Sequence, residues 1–210
     1  MPVDEPVYPV NLLLAGRPCL VVGGGRVALA KARGLLEAGA VVTVVAPDVL
    51  PELAALDVAT EVRPYRSGEV AAYRFAVVAT GDVAVDRQVY EDGEAAGVWV
   101  NSADDPRWCS AILPARVRQG RLVLTVSTGG HSPAVAAWVR RRLADAHGPE
   151  FDALIELVSE VRHEVQERGL GTERLDWQEA LDSGILDMLR AGRLDEAKER
   201  LRACLSSSSD

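Results

Sequence analysis

Short apolar runs alternate with amphipathic stretches over the first half of the chain. The apolar runs are PCLVVG (18–23), VVTVVA (41–46), DVATEV (57–62), RFAVVAT (74–80) and VWV (98–100). The stretches between them are RVALAKARGLLEAGA (26–40), LPELAAL (50–56) and VAVDRQVYEDGEAAG (83–97). Apolar runs without alternation are typical of strands buried on both faces, and amphipathic stretches between them predict βαβ units. With right-handed crossovers, the pattern predicts an α/β fold with a doubly wound parallel sheet.

The pattern changes in the middle of the chain. SAILPARV (110–117) and RLVLTVST (121–128) flank a Gln-Gly pair, which predicts a β-hairpin outside the parallel order. The following segment, AVAAWVRRRLADAHG (134–148), predicts a helix with Ser132 as its N-cap and Pro133 at its first position.

The last third of the chain is predicted to be all-helical. One apolar stripe with helical spacing comprises Phe151, Leu154, Ile155, Val158, Val161 and Val165. Two more short helices are predicted over DSGILDMLRAG (182–192) and RLDEAKERLRACL (193–205). The final SSSSD (206–210) is expected to be a frayed tail.

These patterns divide the chain into three expected parts. Residues 1–113 form a nucleotide-binding domain, 114–147 a small α+β region, and 148–210 a C-terminal helical domain. The length of 210 residues suits one such domain with smaller partners.

Composition and charge narrow the classes of function. The net charge of −8 argues against a general affinity for nucleic acid or an anionic membrane. No apolar run approaches the ~18 residues that a membrane span needs, and the acidic, proline-rich start does not resemble a signal peptide. Cys19, Cys109 and Cys204 are far apart and form neither a disulfide framework nor a zinc pattern. We therefore expect a cytoplasmic protein that binds neither nucleic acid nor a membrane.

A glycine turn follows the first predicted strand. In VVGGGRVA, Gly23 permits a tight turn, Gly25 lets the backbone approach a diphosphate, and Ala28 is small enough for close helix packing. The diphosphate of a dinucleotide would then lie at the helix N-terminus. A plain glycine turn without a ligand is the alternative. The position of the turn in the first βαβ unit favours a Rossmann-type dinucleotide site.

Residues after the second and fourth strands are candidates for the rest of this site. Asp48, which follows Pro47, comes a few positions later than the acidic residue expected to bind the ribose 2′-OH. No Arg or Lys stands beside it to favour a 2′-phosphate, so the sequence favours NAD over NADP. Thr80 and Gly81 follow the fourth strand and are expected to line the same edge of the sheet.

The segment VNSADDP (100–106) follows the fifth predicted strand. Its two neighbouring carboxylates, Asp104 and Asp105, are compatible with a turn cap before Pro106 or with an acid/base site at the edge of the sheet. The residues alone leave both interpretations open.

Several segments together resemble the precorrin-2 dehydrogenase/sirohydrochlorin ferrochelatase module of sirohaem synthases. The specific markers are GGG-x-VA-x-x-KA in the glycine turn, N-x-x-D-x-P in VNSADDP, and S-[ST]-GG-x-SP in STGGHSP. SAILPARV and the helical tail follow in the same order, so the resemblance covers nearly the whole chain.

The resemblance implies an enzyme of tetrapyrrole biosynthesis. Such proteins oxidise precorrin-2 to sirohydrochlorin with NAD⁺, and some also insert Fe²⁺, or Co²⁺ in cobalamin pathways. The resemblance also implies a homodimer in which 114–147 is the dimerisation region. The chain stops after the helical tail, so we expect a stand-alone form that depends on a separate uroporphyrinogen methyltransferase.

The resemblance also implies roles for individual residues. Asp104 corresponds to the family aspartate that serves both activities, as a base and as a possible transient metal contact, with no fixed metal site. Asp105 is expected to act on its neighbour through charge alone. The cofactor site implied here comprises Gly23, Gly24, Gly25, Arg26, Val27, Pro47, Asp48, Thr80 and Gly81. The substrate site implied here includes Thr128, Gly129, Gly130 and His131.

Two of these positions depart from the family pattern. Thr128 stands where some members have a serine that can carry phosphate, which leaves regulation there open. His131 replaces a smaller or polar residue, and it is either a substrate contact or a plain histidine at a helix entry.

The substrate carries several carboxylates, so its pocket needs local positive charge in an acidic protein. Arginine suits bidentate clamps on carboxylates. The candidates are Arg116, Arg118 and Arg121 around the hairpin and Arg140, Arg141 and Arg142 on the following helix. A solvated helix or strand face is the alternative for each arginine. The three consecutive arginines point about 100° apart and cannot all face one pocket.

Two other functions are compatible with the sequence. One is a dehydrogenase without chelatase activity. The other is a nucleotide-sensing regulatory module, which would need a partner-binding appendage such as a basic helix-turn-helix. The acidic helical tail offers none.

Overall fold

The computed structural model describes residues 6–169 and 175–207. They form two compact units. One unit comprises the chain up to Leu113 together with Ser127–Pro133, and the other comprises Pro114–Val126 and the chain from Ala134 onward. The three-part division expected from the sequence remains a prediction.

The first unit contains a five-stranded parallel sheet. Its strands are β1 (Pro18–Val22), β2 (Val41–Ala46), β3 (Ala59–Val62), β4 (Phe75–Val78) and β5 (Trp99–Ser102). They lie in the order β3-β2-β1-β4-β5, with every neighbouring pair parallel. The chain thus moves outward from β1 to β3 and then returns to the other side of β1. The predicted α/β class with a Rossmann-type sheet is confirmed.

Helices cover both faces of this sheet, which explains the continuous apolar runs. They are α1 (Arg26–Leu36), α2 (Pro51–Ala54) and α3 (Val83–Ala96), with 3₁₀ turns at Glu69–Ala72 and Pro106–Trp108. Alternate strand residues enter two separate cores. Val21 and Val77 pack with the α1 residues Ala28 and Ala32. The other core contains Leu20, Val22, Ala76, Val78, Val89 and Val100.

The second unit begins with the predicted hairpin. Strands β6 (Ala115–Gln119) and β7 (Leu122–Val126) are antiparallel and form their own two-stranded sheet. Helix α4 (Pro133–Ala146) follows and begins at Pro133, as the sequence predicted. The residues before Ala115 in SAILPARV are not part of the strand.

The remaining helices share one core. They are α5 (Glu150–Glu167), α6 (Trp177–Asp182), α7 (Ile185–Arg190) and α8 (Leu194–Ser207). Fully buried members of this core are Leu157, Val161, Ala180, Ile185, Ala197, Leu201 and Leu205.

Three details of this helical region correct the expectation. The sequence predicted two helices after α5, and the described residues contain three, because the six-residue α6 is too short to show a clear period. The predicted stripe on α5 omitted Leu157, which is one of its two buried residues, because the later helices pack along the edge formed by Leu157 and Val161. Helix α8 extends to Ser207 into the expected frayed tail, of which residues 208–210 lie outside the described chain.

Across the described ranges, every helix is too short or too polar to cross a membrane.

Candidate cofactor and catalytic site

The glycine turn after β1 is held close to the neighbouring strands. Gly23 has φ +124°, a conformation that side chains rarely adopt, and its N–H donates to the carbonyl of Val45 at 2.9 Å. A Cβ atom at Gly23 would lie 2.2 Å from the carbonyl oxygen of Ala79. Glycine is therefore required here both by the backbone conformation and by the close approach of β4.

Gly24 packs against the loop that follows β2. A Cβ atom at Gly24 would lie 1.8 Å from the carbonyl oxygen of Asp48, and the Leu50 N–H donates to the Gly24 carbonyl at 3.0 Å. The exposed residues Pro47 and Asp48 are thereby placed beside the glycine turn. This is where the sequence interpretation placed the ribose-binding acid.

The third glycine faces open space. A Cβ atom at Gly25 would meet nothing within 4 Å. Gly25 is the N-cap of α1, no side chain caps that helix, and its first turn contains no acidic residue. Arg26 and Val27 are exposed there, whereas Ala28 is fully buried against the sheet.

These features fit the diphosphate of a dinucleotide. The uncapped N–H groups at the start of α1 and the positive end of the helix dipole favour an anion. The space beside Gly25 allows close approach of such a group to the backbone. The arrangement provides what a dinucleotide needs at this position, and Gly23, Gly24, Gly25, Arg26 and Val27 are the residues that would hold it.

The end of β4 lies beside the glycine turn, at the point where the strand order reverses. Ligands of open α/β sheets bind in the crevice at this reversal. Thr80 and Gly81 follow β4, and the Gly81 N–H donates to Oδ2 of Asp104 at 3.2 Å. Asp104 follows β5, so the structure brings the predicted base to the same edge as the candidate cofactor residues.

The two neighbouring aspartates differ in their surroundings. Oδ1 of Asp105 accepts from the Arg107 N–H at 2.9 Å, and its carboxylate pairs with the Arg107 guanidinium at 2.5 Å. These hydrogen bonds lower the pKa of Asp105 to about 2. Asp105 is thus the turn cap that begins the 3₁₀ turn, whereas Asp104 is exposed and faces Gly81. The expected purely electrostatic effect of Asp105 on Asp104 stays a prediction.

Asp86 is a functional candidate that the sequence interpretation missed. It lies on α3, is 2% exposed, and accepts from Thr80 Oγ1 at 2.6 Å and from Ser102 Oγ at 2.8 Å. Its position in one buried stripe with Val89 and Gly93 was the available signal, since a charged residue in an apolar helical stripe needs partners.

A second polar group lies on the opposite face of β5. The Asn101 side chain is buried and donates to the carbonyl of Ala111 at 3.0 Å. Cys109 accepts from the Ser102 N–H at 3.2 Å, and burial raises the pKa of its thiol. Lys31, which lies on α1, is partly buried, and this burial lowers the pKa of its ammonium group. These contacts tie the segment after the Pro106–Trp108 turn to the end of β5.

The candidate substrate loop is a compact turn that leads into α4. Thr128 Oγ1 accepts from the Ser132 N–H at 3.1 Å, and the His131 N–H donates to the Thr128 carbonyl at 2.9 Å. Gly129 and Gly130 form the bend between them. The Thr128 hydroxyl therefore already has a structural task in the turn.

The candidate arginines divide into two groups. Arg116 and Arg118 alternate with the buried Val117 and share the exposed face of β6. Arg140 is half-buried on α4. Arg121 pairs with Asp152 at 3.1 Å, within the second unit.

Arg141 and Arg142 are both exposed, and the Arg142 guanidinium lies over the Trp138 ring at 4.9 Å.

Within residues 6–169 and 175–207, no three His, Cys, Asp or Glu side chains gather in a group that could hold a metal ion.

The sheet order, the glycine turn and the residues at the strand ends define a nucleotide-binding protein of the Rossmann class. The comparisons extend this assignment. The chain belongs to the family described as putative NAD(P)-binding, whose model matches residues 10–115.

Curated relatives carry the name siroheme synthase. The protein from Nitrosococcus oceani is 34% identical over 203 residues, which cover 94% of this chain and 43% of that protein. The protein from Chromobacterium violaceum is 37% identical over 199 residues, covering 92% of this chain and 42% of that protein. The chain thus spans less than half the length of these relatives.

A solved structure matches over its whole length. SirC, precorrin-2 dehydrogenase, is 28% identical with a TM-score of 0.72, and the match covers 94% of this chain and 100% of that chain. The relatives and this structure confirm the resemblance to the dehydrogenase module of sirohaem synthases. The expected use of NAD is confirmed at the level of the family, which is described as NAD(P)-binding.

Proposed function

We propose that the protein is an NAD⁺-dependent dehydrogenase that oxidises precorrin-2 to sirohydrochlorin. The observation that carries this proposal is the contact between the Asp104 carboxylate and the Gly81 N–H at the reversal of strand order. It puts an exposed carboxylate beside the crevice in which this fold binds a dinucleotide. The full-length likeness to SirC, precorrin-2 dehydrogenase, supports the substrate.

The oxidation removes a hydride and a proton from the reduced macrocycle. A bound NAD⁺ supplies the hydride acceptor. The protein must hold the macrocycle and accept the proton, and Asp104 is the base in this proposal. The Gly81 N–H holds one carboxylate oxygen, Oδ2, and no second donor among the described residues reaches the Asp104 side chain. Oδ1 is therefore the atom that receives the proton.

NAD is preferred over NADP in this proposal. The Asp48 backbone lies against Gly24, so its exposed carboxylate can reach a ribose hydroxyl of a dinucleotide held at the glycine turn. A carboxylate at this place binds a 2′-OH and repels a 2′-phosphate.

The substrate residues are proposed from charge. Arg116 and Arg118 present two guanidinium groups on one strand face, and Arg140 adds a half-buried third on α4. Arginine pairs with carboxylates in a bidentate manner. The turn from Thr128 to His131 is proposed as a main-chain substrate contact within the first unit.

Metal insertion is the second candidate function. The relatives named siroheme synthase favour it, since sirohaem contains iron. Insertion of Fe²⁺ or Co²⁺ releases two pyrrole protons, which the exposed Asp104 carboxylate can accept one at a time and pass to solvent, with at most a transient metal contact. The macrocycle itself supplies the final ligands, so a protein cage is not needed. A dehydrogenase without this activity is the alternative.

The decisive experiment separates the two activities. Purified protein is incubated anaerobically with precorrin-2 and NAD⁺, and formation of NADH and of the sirohydrochlorin spectrum is followed. Absence of both products overturns the dehydrogenase proposal. In a second assay, sirohydrochlorin and Fe²⁺ or Co²⁺ are supplied without NAD⁺. Insertion no faster than the uncatalysed rate overturns the chelatase proposal alone.

The proposal includes the assembly of the protein and the source of its substrate. The protein is a homodimer, which sedimentation at micromolar concentration tests. Its substrate comes from a uroporphyrinogen methyltransferase. The rival function, a regulatory nucleotide sensor, predicts NAD binding without turnover in the first assay.

A further inference from the structure

Asp86 joins the ends of two neighbouring strands. Each of its carboxyl oxygens accepts from a different hydroxyl: Oδ1 from Thr80 after β4 at 2.6 Å, and Oδ2 from Ser102 at the end of β5 at 2.8 Å. Asp86 lies on α3, the helix that connects these two strands. Both hydroxyls are therefore fixed to one buried side chain.

The two hydroxyls lie directly beside the residues of the candidate site. Thr80 precedes Gly81, whose N–H donates to Asp104, and Ser102 is two residues before Asp104. Ser102 Oγ also accepts from the Asp105 N–H at 3.3 Å, so the hydroxyl that binds Asp86 holds the backbone next to Asp104. Thr80 Oγ1 accepts from the Asp82 N–H at 3.0 Å on the other side.

Burial shows that Asp86 has no direct access to a ligand. Its exposure is 2%, and each of its carboxyl oxygens already accepts from a hydroxyl donor. A buried carboxyl group costs free energy unless such donors are present. The group therefore acts through its partners and not on the substrate.

We propose that Asp86 is a positioning residue that sets the spacing between the Gly81 and Asp104 segments and thereby directs the Asp104 carboxylate toward the cofactor crevice. This inference rests on the proposed function, in which Asp104 is the base. Loss of Asp86 lets the two strand ends separate, and misplacement of a reacting group by about 1 Å can lower a rate ~10²-fold.

The test is a double-mutant cycle with the anaerobic NADH assay. Asp86→Ala is measured alone and together with Asp104→Ala. We expect Asp86→Ala to lower kcat by roughly tenfold or more in the wild-type background. In the Asp104→Ala background the same substitution should change kcat by less than about twofold, because residues that act as a unit are not additive.

Val89→Ala is the matched structural control. Val89 lies on the same helix, is fully buried, and packs in the apolar core with Val78 and Val100. Its substitution lowers the melting temperature and should change kcat by the same small factor in both backgrounds. Equal losses from Asp86→Ala in both backgrounds, as for Val89→Ala, overturn the inference.

Two further variants keep the test decisive if Asp86→Ala does not fold. Asp86→Asn retains one acceptor and should recover part of the turnover, and Ser102→Ala removes only the β5 hydroxyl and should reproduce most of the loss. The positioning role is contradicted if Asp86→Asn recovers no turnover and Ser102→Ala keeps the wild-type kcat. Wild-type kcat in Asp104→Ala alone overturns the proposed function instead, so the two failures are distinguishable.

Discussion

The backbone N–H of Gly81 and the carboxylate of Asp104 lie 3.2 Å apart, although 23 residues separate them in sequence. The contact joins the loop after β4 to the loop after β5, at the carboxyl edge of the parallel sheet. This contact distinguishes Asp104 from the neighbouring Asp105, whose carboxylate forms an ion pair with Arg107.

Asp104→Asn should lower the rate of precorrin-2 oxidation by at least ~10², because the amide cannot accept the proton. Asp105→Asn removes the same charge from the neighbouring position and keeps an oxygen that can cap the 3₁₀ turn, so its rate should stay within about threefold of wild type. Anaerobic NADH formation measures both. Equal losses in the two variants would assign the effect to the loop and not to a base.

The two glycines of the turn should respond differently to alanine. At Gly25 a methyl group enters open space, so Gly25→Ala should keep the melting temperature and raise the Kd for NAD⁺ by about tenfold, or ~1.4 kcal/mol. At Gly24 the methyl group would meet the Asp48 carbonyl, and Gly24→Ala should destabilise the fold by about 1–3 kcal/mol. Calorimetric titration and thermal unfolding measure the pair. Unchanged NAD⁺ affinity in Gly25→Ala would place the diphosphate elsewhere.

Cofactor preference should depend on the Asp48 side chain. Asp48→Asn should narrow the ratio of kcat/KM for NAD⁺ over NADP⁺ by roughly tenfold, since the repulsion of a 2′-phosphate is removed. Glu52→Gln makes the same charge change on α2, where the side chain is also exposed, and should leave the ratio unchanged. A similar narrowing in both variants would indicate a general charge effect.

The Asp105–Arg107 pair predicts a pH dependence of stability. The folded-state pKa of Asp105 is lowered from 3.8 to about 2, so its contribution is present above pH 3.8 and is lost as the pH falls toward 2. Arg107→Ala should raise the pKa of Asp105 toward its ordinary value, because the first cause of the shift is the hydrogen bond from Arg107. Carbon NMR titration of the carboxyl group measures this pKa.

Arg74→Ala is the control for this titration, since it removes one exposed positive charge from the same unit without contacting Asp105. Its Asp105 titration should match that of the wild type. An unshifted pKa in Arg107→Ala would mean that the backbone donors alone hold the carboxylate.

The sequence was sufficient where the structural reason is local. The turn at Gly23 and Gly25 depends on residues adjacent in the chain, and Asp104 lies at the carboxyl edge of the sheet because it comes two residues after β5. The parallel sheet could be predicted from the continuous apolar runs, because such runs are typical of strands that are buried on both faces.

Asp86 could not be predicted in the same way. Its partners are 6 and 16 residues away and belong to the ends of two strands, so their meeting depends on how α3 packs against the sheet. Helix α6 was missed for a related reason, because six residues give too little periodicity and its fully buried Ala180 is defined only by packing with the other helices.

The contact between Gly24 and the loop after β2 involves main-chain atoms on both sides. The path of that loop is therefore independent of the side chain at position 48. Position 48 is therefore a suitable place to change the nucleotide that the protein uses, because the backbone that presents its side chain is held through main-chain atoms of Gly24 and Leu50.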